Sequence, residues 1–153
     1  MDPHAALAEL GLTLPAAPKP VAAYVPAVRS GNLIYVSGQL PFRDGALTVT
    51  GPVPSACSIE LAQDAARQCV LNGLAVVADQ LGGDLSRVVR VVRVGAFVQS
   101  DVGFTEQPKV ANGASELLQR IFGEAGRHAR AAVGTNALPL GASVEVEFLF
   151  EVR

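Results

Sequence analysis

The sequence predicts a single α+β domain. Three observations carry this: a C-terminal strand of clean period two, two apolar stripes at helical spacing, and short β-branched runs around each stripe. The chain has 153 residues, which suits one domain. Half of them are hydrophobic and 17% are charged, an apolar balance that favours surface shared between subunits.

The elements follow in order. Pro3 to Gly11 reads as a short helix, closed by the glycine. Leu12 to Pro20 holds three prolines and reads as an extended connector. The expected division is therefore 1–20, helix and connector, then 21–153, the main domain. Tyr24–Val28 and Leu33–Gln39 read as strands joined by a tight Ser30-Gly31-Asn32 turn, where Gly and Asn accept positive φ. Pro41–Gly45 is a second turn and Leu47–Thr50 a short strand. Gly51–Ser55 is a Pro-containing loop, after which Ser58 can cap a helix with Glu60 in its first turn.

Ala62, Ala65, Ala66, Cys69, Gly73, Val76 and Val77 form the first helical stripe, whose small residues suit close packing on a sheet; Gly82-Gly83 ends it. Val88–Gln99 is long and β-branched, apolar on both faces except at Arg90 and Arg93. It predicts a strand buried on two sides, by helices and by another subunit. A second helix is expected from Val110 to Phe122, then a strand from Arg130 to Asn136 and a turn over Leu138–Gly141. In the last strand Val144, Val146, Phe148, Phe150 and Val152 alternate with Glu145, Glu147, Leu149 and Glu151.

Composition excludes several function classes. A net charge of −2 gives no nucleic-acid footprint, and no Trp with two Tyr and six Phe is thin material for base stacking. Cys57 and Cys69, twelve apart and without His neighbours, make neither a zinc site nor a disulfide framework and read as buried thiols. No metal or cofactor is expected, since phosphate loops, metal-ligand clusters and nucleophile elbows are absent. No segment approaches the roughly 20 unbroken apolar residues of a membrane span, and Met1-Asp2-Pro3-His4 lacks a signal-peptide pattern, so the expectation is cytoplasmic.

Tyr24 to Pro41 reads YVPAVRSGNLIYVSGQLP, and Arg130 to Glu147 carries an Arg opening a strand, a Leu-Pro turn and an acidic final strand. This pair of motifs resembles the Rid/YjgF family, also known as the endoribonuclease L-PSP family, over about Val21 to Arg153. The Asn112-Gly-Ala-Ser and Gly126-Arg-His-Ala-Arg runs are similar to a less characterised branch. The resemblance implies a chorismate-mutase-like sheet with two long helices on one face and a homotrimer with intersubunit clefts. It also implies cofactor-independent hydrolysis of enamines and imines, such as 2-aminoacrylate, to 2-keto acids and ammonia.

Carried onto this chain, the resemblance gives Arg130 as the carboxylate grip and Glu145 as the acidic residue of the final strand, both catalytic. Tyr24, Ser37, Gly38 and Asn112 are implied as substrate-binding residues. Ala132 stands where the family often has Cys, and the Gly51–Ser58 loop is longer than in compact members. A guanidinium matches a carboxylate through two parallel hydrogen bonds, which Lys cannot copy. Glu145 can place a water or accept a proton, or it can be an edge carboxylate kept for solubility. Tyr24 can close a cleft or pack in a strand, Asn112 can hold a loop or cap a helix, and His128 reads as a structural or solvated group. The alternative function is a non-catalytic trimeric protein that binds a small carboxylate metabolite; nucleic acid is not an expected partner.

Overall fold

A computed structural model describes residues 2–18 and 23–153. The Pro20 end of the expected connector and Val21, where the main domain was expected to begin, lie outside the described residues. The helices are α1 (Pro3–Glu9), α2 (Ile59–Gln80) and α3 (Gln107–Phe122). The strands are β1 (Ala27–Ser30), β2 (Leu33–Gln39), β3 (Phe42–Arg43), β4 (Ala46–Leu47), β5 (Val88–Gln99), β6 (Ala129–Thr135) and β7 (Val144–Val152). Five strands form one sheet in the order β1-β2-β7-β5-β6, and β3 and β4 form a separate hairpin. Among the described strands only β5 and β6 pair in parallel; α3 supplies the crossover that a parallel pair needs.

Alternation along β7 decides the layering. Val144, Val146, Phe148, Phe150 and Val152 are buried against the helices, as the period-two pattern requires, while Glu145, Glu147, Leu149 and Glu151 point to the other face. Cross-strand register extends both faces. Phe148 pairs with Val36 and Val94 on the helix side; Leu149 pairs with Tyr35 and Arg93 on the open side. Both long helices cover the first face, and Ser58 caps α2 through its side chain, which accepts from Leu61 N. α1 joins the same core through Leu7. Both cysteines are free and buried.

Several boundaries differ from the sequence reading. β1 begins at Ala27 rather than Tyr24, because Pro26 has no N–H to extend the ladder; its carbonyl still accepts from Ser37 N at 2.9 Å. Tyr24 is therefore outside the strand and 62% exposed. In the first hairpin only Gly31 takes positive φ, at 61°; the Asn32 amide instead donates to Glu151. The strand expected over Leu47–Thr50 is the two-residue β4, and Thr50 makes only an isolated bridge to Ala142. α3 starts at Gln107, before the apolar stripe begins, since Pro108 is tolerated in a first turn.

The expected two-sided burial of β5 holds on one side within a single chain. Val91, Val94, Ala96 and Val98 lie under the helices, whereas the opposite side of the sheet is uncovered. On that open face Val28 is 55% exposed, Tyr35 51% and Val133 45%.

The long loop after β4 is tied down rather than loose. Val53 is fully buried; its N–H donates to Gln99 O at 2.8 Å, and its carbonyl accepts from Asp101 N at 2.9 Å. The Asp101 carboxylate accepts from both the backbone N–H and the hydroxyl of Ser55, each at 2.8 Å. Ser143 Oγ donates to Gly51 O at 2.7 Å. The loop is thus bound across the ends of β5 and β7, close to Glu145 in sequence.

Candidate functional site

The residues singled out in the sequence gather into two groups. The first stands between α3 and the edge strand β6. Arg130 pairs with Val94 in the β5–β6 register, so its side chain leaves on the helix side of the sheet. It is exposed, yet its Nη1 donates to Asn112 Oδ1 at 2.9 Å and to Ser115 Oγ at 3.1 Å. Asn112 and Ser115 are three residues apart on α3 and therefore share a face. Between them Gly113 lets α3 touch α2: a Cβ there would lie 2.3 Å from the Gln63 carbonyl oxygen. The Asn-Gly-Ala-Ser run thus joins a helix contact to a grip on Arg130.

His128 completes this group. Its Nδ1 lies 2.7 Å from Gly126 O and its Nε2 2.9 Å from Ser115 Oγ. Burial holds the imidazole below the usual His range; the Gly126 carbonyl opposes that shift and the charge of Arg130 adds to it. His128 is a half-buried link in a hydrogen-bond chain, not a solvated loop side chain.

The second group lies on the open face, at the ends of β2 and β7. The Glu145 side chain sits over Gly38, where a Cβ would be 2.1 Å from Glu145 Oε1. Glycine at 38 is what permits this approach. Burial pushes the Glu145 carboxyl up from its usual range, and the neighbouring Glu147 pushes it further. Among the described residues Glu145 has no ion-pair partner, whereas Glu147 is paired with Arg93 at 3.0 Å. Ser37 is already engaged: its Oγ donates to Val25 O at 2.9 Å, holding the chain beside Tyr24.

A cavity of about 940 Å³ opens beneath the N-terminal connector, with Tyr24, Ser37 and Gly38 in its wall beside Leu14, Phe42 and Arg43. Neither Arg130 nor Glu145 is among its described lining residues. Arg43 Nε donates to Gln68 Oε1, and Gln68 bonds Asn72, whose amide donates to the carbonyls of Leu40 and Phe42, each contact at 3.0 Å. This relay through the buried Gln68 and Asn72 fixes the β3–β4 hairpin to α2 and so shapes the cavity's far wall.

The two groups do not meet within one chain. Glu145 and Arg130 stand on strands separated by β5, and their side chains leave opposite faces. Ala132, two residues after Arg130, shares the latter's side of β6 and brings no thiol there. Ser115 was absent from the residues proposed from sequence; its spacing of three from Asn112 on one helix is the signal that could have found it. Among the described residues no group of His, Cys, Asp and Glu is arranged to hold a metal ion, and no helix is long and apolar enough to cross a membrane.

A family model described as "YjgF/chorismate_mutase-like, putative endoribonuclease" matches residues 4–152. Protein TCP17 of Trypanosoma cruzi is 48% identical, over 96% of this chain and 92% of that protein. The 2-iminobutanoate/2-iminopropanoate deaminase of Dermatophagoides farinae is 33% identical, over 93% of this chain and 95% of that one. The crystal structure of Atu1372 from Agrobacterium tumefaciens, a protein of unknown function, superposes with a TM-score of 0.93 at 49% identity, covering 99% of this chain and 92% of that one. The match thus spans both motif regions and the helices between them, and the chain belongs to the Rid/YjgF family.

Proposed function

We propose that the chain hydrolyses small carboxylate-bearing imines and enamines to 2-keto acids and ammonia, at clefts formed between copies in a homotrimer. The observation that carries this reading is Arg130: an exposed guanidinium, held by α3, with no carboxylate of its own chain paired to it among the described residues. The open face with Val28, Tyr35 and Val133 supports an assembly, because uncovered apolar surface of this kind favours association. A 33%-identical relative named as a 2-iminobutanoate/2-iminopropanoate deaminase supports the substrate class.

The chemistry asks little of the protein. Arg130 of one copy holds the substrate carboxylate. Glu145 of another stands near the imine carbon. Water adds to that carbon as Glu145 takes its proton, giving a tetrahedral carbinolamine. The proton is returned to nitrogen; Glu145 then takes the carbinolamine hydroxyl's proton and passes it to nitrogen as the C–N bond breaks, so ammonia leaves behind a ketone. A carboxyl with a raised pKa suits both halves of this proton transfer.

The test generates 2-aminoacrylate in situ and couples pyruvate release to lactate dehydrogenase. The proposal expects release faster than spontaneous hydrolysis and dependent on Arg130. Ala132, in place of a thiol, favours the second reading, a binder without turnover. Saturable carboxylate binding with no acceleration would establish that reading instead.

A further inference from the structure

Resting on that reading of Arg130, we propose that Ser115 and His128 are positioning residues that commit Arg130 to receive a carboxylate through its Nε–H and Nη2–H edge. A guanidinium can meet a carboxylate end-on, through Nη1 and Nη2, or side-on, through Nε and Nη2. Nη1 carries two hydrogens, and Asn112 Oδ1 and Ser115 Oγ accept both. The end-on fork is therefore closed. Among the described residues nothing accepts from Nε or Nη2, so the side-on pair stays open.

Ser115 serves as a fixed acceptor only because His128 sets the direction of its hydroxyl. A carbonyl oxygen can only accept, so the contact with Gly126 O puts the imidazole hydrogen on Nδ1. Nε2 then offers a lone pair. The Ser115 hydroxyl hydrogen goes to it, and the oxygen's own lone pairs turn to Arg130. Each member of the chain has one role, and Ser115 is 7% exposed, so water does not compete for it. Without His128, the usual partner of a helical serine hydroxyl is a backbone carbonyl one turn earlier.

The probe is 2-oxobutanoate, the keto acid that hydrolysis of 2-iminobutanoate leaves. Nitrogen-edited NMR of the full chain follows the Arg130 Nε–H signal, identified by its loss in Arg130→Lys. That signal should move downfield as 2-oxobutanoate saturates the protein. Ser115→Ala and His128→Phe should weaken binding about tenfold. KM for the imine should rise by a similar factor with kcat nearly unchanged, and Ser115→Thr should recover most of the loss. An Nε–H signal that stays in place at saturation overturns the proposal, and it does so on the wild-type protein even if a variant melts early. Wild-type affinity in both Ser115→Ala and His128→Phe overturns it as well. Arg130→Ala separates the two claims. If that variant binds normally, the reading of Arg130 as anchor fails. If it loses binding while Ser115→Ala keeps it, the anchor stands and the positioning role falls.

Discussion

Arg130 and Glu145 leave opposite faces of one five-stranded sheet, with β5 between the strands that carry them. Adjacent strands are spaced by about 4.8 Å, so the two side chains are parted by two strand spacings as well as by the thickness of the sheet. No rotamer change brings them to one small substrate. A site that uses both needs a second copy.

Glu145→Gln is expected to separate stability from function. The Glu145 carboxyl is raised in the fold above its ordinary value, by burial first and by Glu147 second. The folded state therefore holds its proton to higher pH than the unfolded state does. The stability contributed by the neutral group is complete below the unfolded pKa and is lost as pH rises through the folded one. At pH 7 Glu145→Gln should melt higher than the parent, and the two should converge as pH falls toward 4. The same variant should lose most imine hydrolysis. Melting curves across pH 4 to 8, run beside the coupled assay, check both halves.

Gly38→Ala tests the contact beneath Glu145. The added Cβ would lie 2.1 Å from Glu145 Oε1, which is the far end of a flexible side chain. The carboxylate should swing aside and the fold should survive. The expected result is a fall in kcat of roughly 100-fold or more, the lower limit of what positioned proton transfer contributes, with a melting point close to the parent's. A large drop in melting temperature with kcat retained would show Gly38 to be a packing position only.

Arg130→Lys separates geometry from charge. Lysine keeps the charge and loses the planar fork, and a lost charge-assisted bond costs about 1.5–3 kcal/mol. Turnover or carboxylate affinity should fall roughly 10- to 100-fold, with Arg130→Ala lower still. Because the side chain is exposed, neither change should much lower the melting point. Calorimetric titration with 2-oxobutanoate, alongside melts, is the measurement.

Much of the fold could be read from the chain because its periods are unambiguous. β7 alternates from Val144 to Val152 with Leu149 the one apolar residue on the outward side, and the stripe from Ala62 to Val77 is buried along α2. The start of β1 was misread because β-branched and aromatic residues at Tyr24 and Val25 outweighed Pro26, whose missing N–H stops the ladder. Which residues fall into which of the two groups was not legible from local pattern. It depends on the parallel placement of β6 beside β5, and register between distant strands leaves no local trace in sequence. Ser115 was hidden for a related reason: it looks ordinary alone, and only the crossing of α3 over β6 brings it to Arg130 and to His128, which sequence placed two residues from Arg130 but left without a partner.

Subunit complementation tests the shared site most directly. Arg130→Ala and Glu145→Gln are each expected to be inactive when pure. If each site takes Arg130 from one copy and Glu145 from the next, refolding the two together rebuilds some intact sites. In a random equal mixture, half the copies supply the arginine and half their neighbours the carboxylate, so about one quarter of wild-type activity should return. A refolded mixture that forms mixed assemblies yet stays as inactive as its two parents would contradict the account.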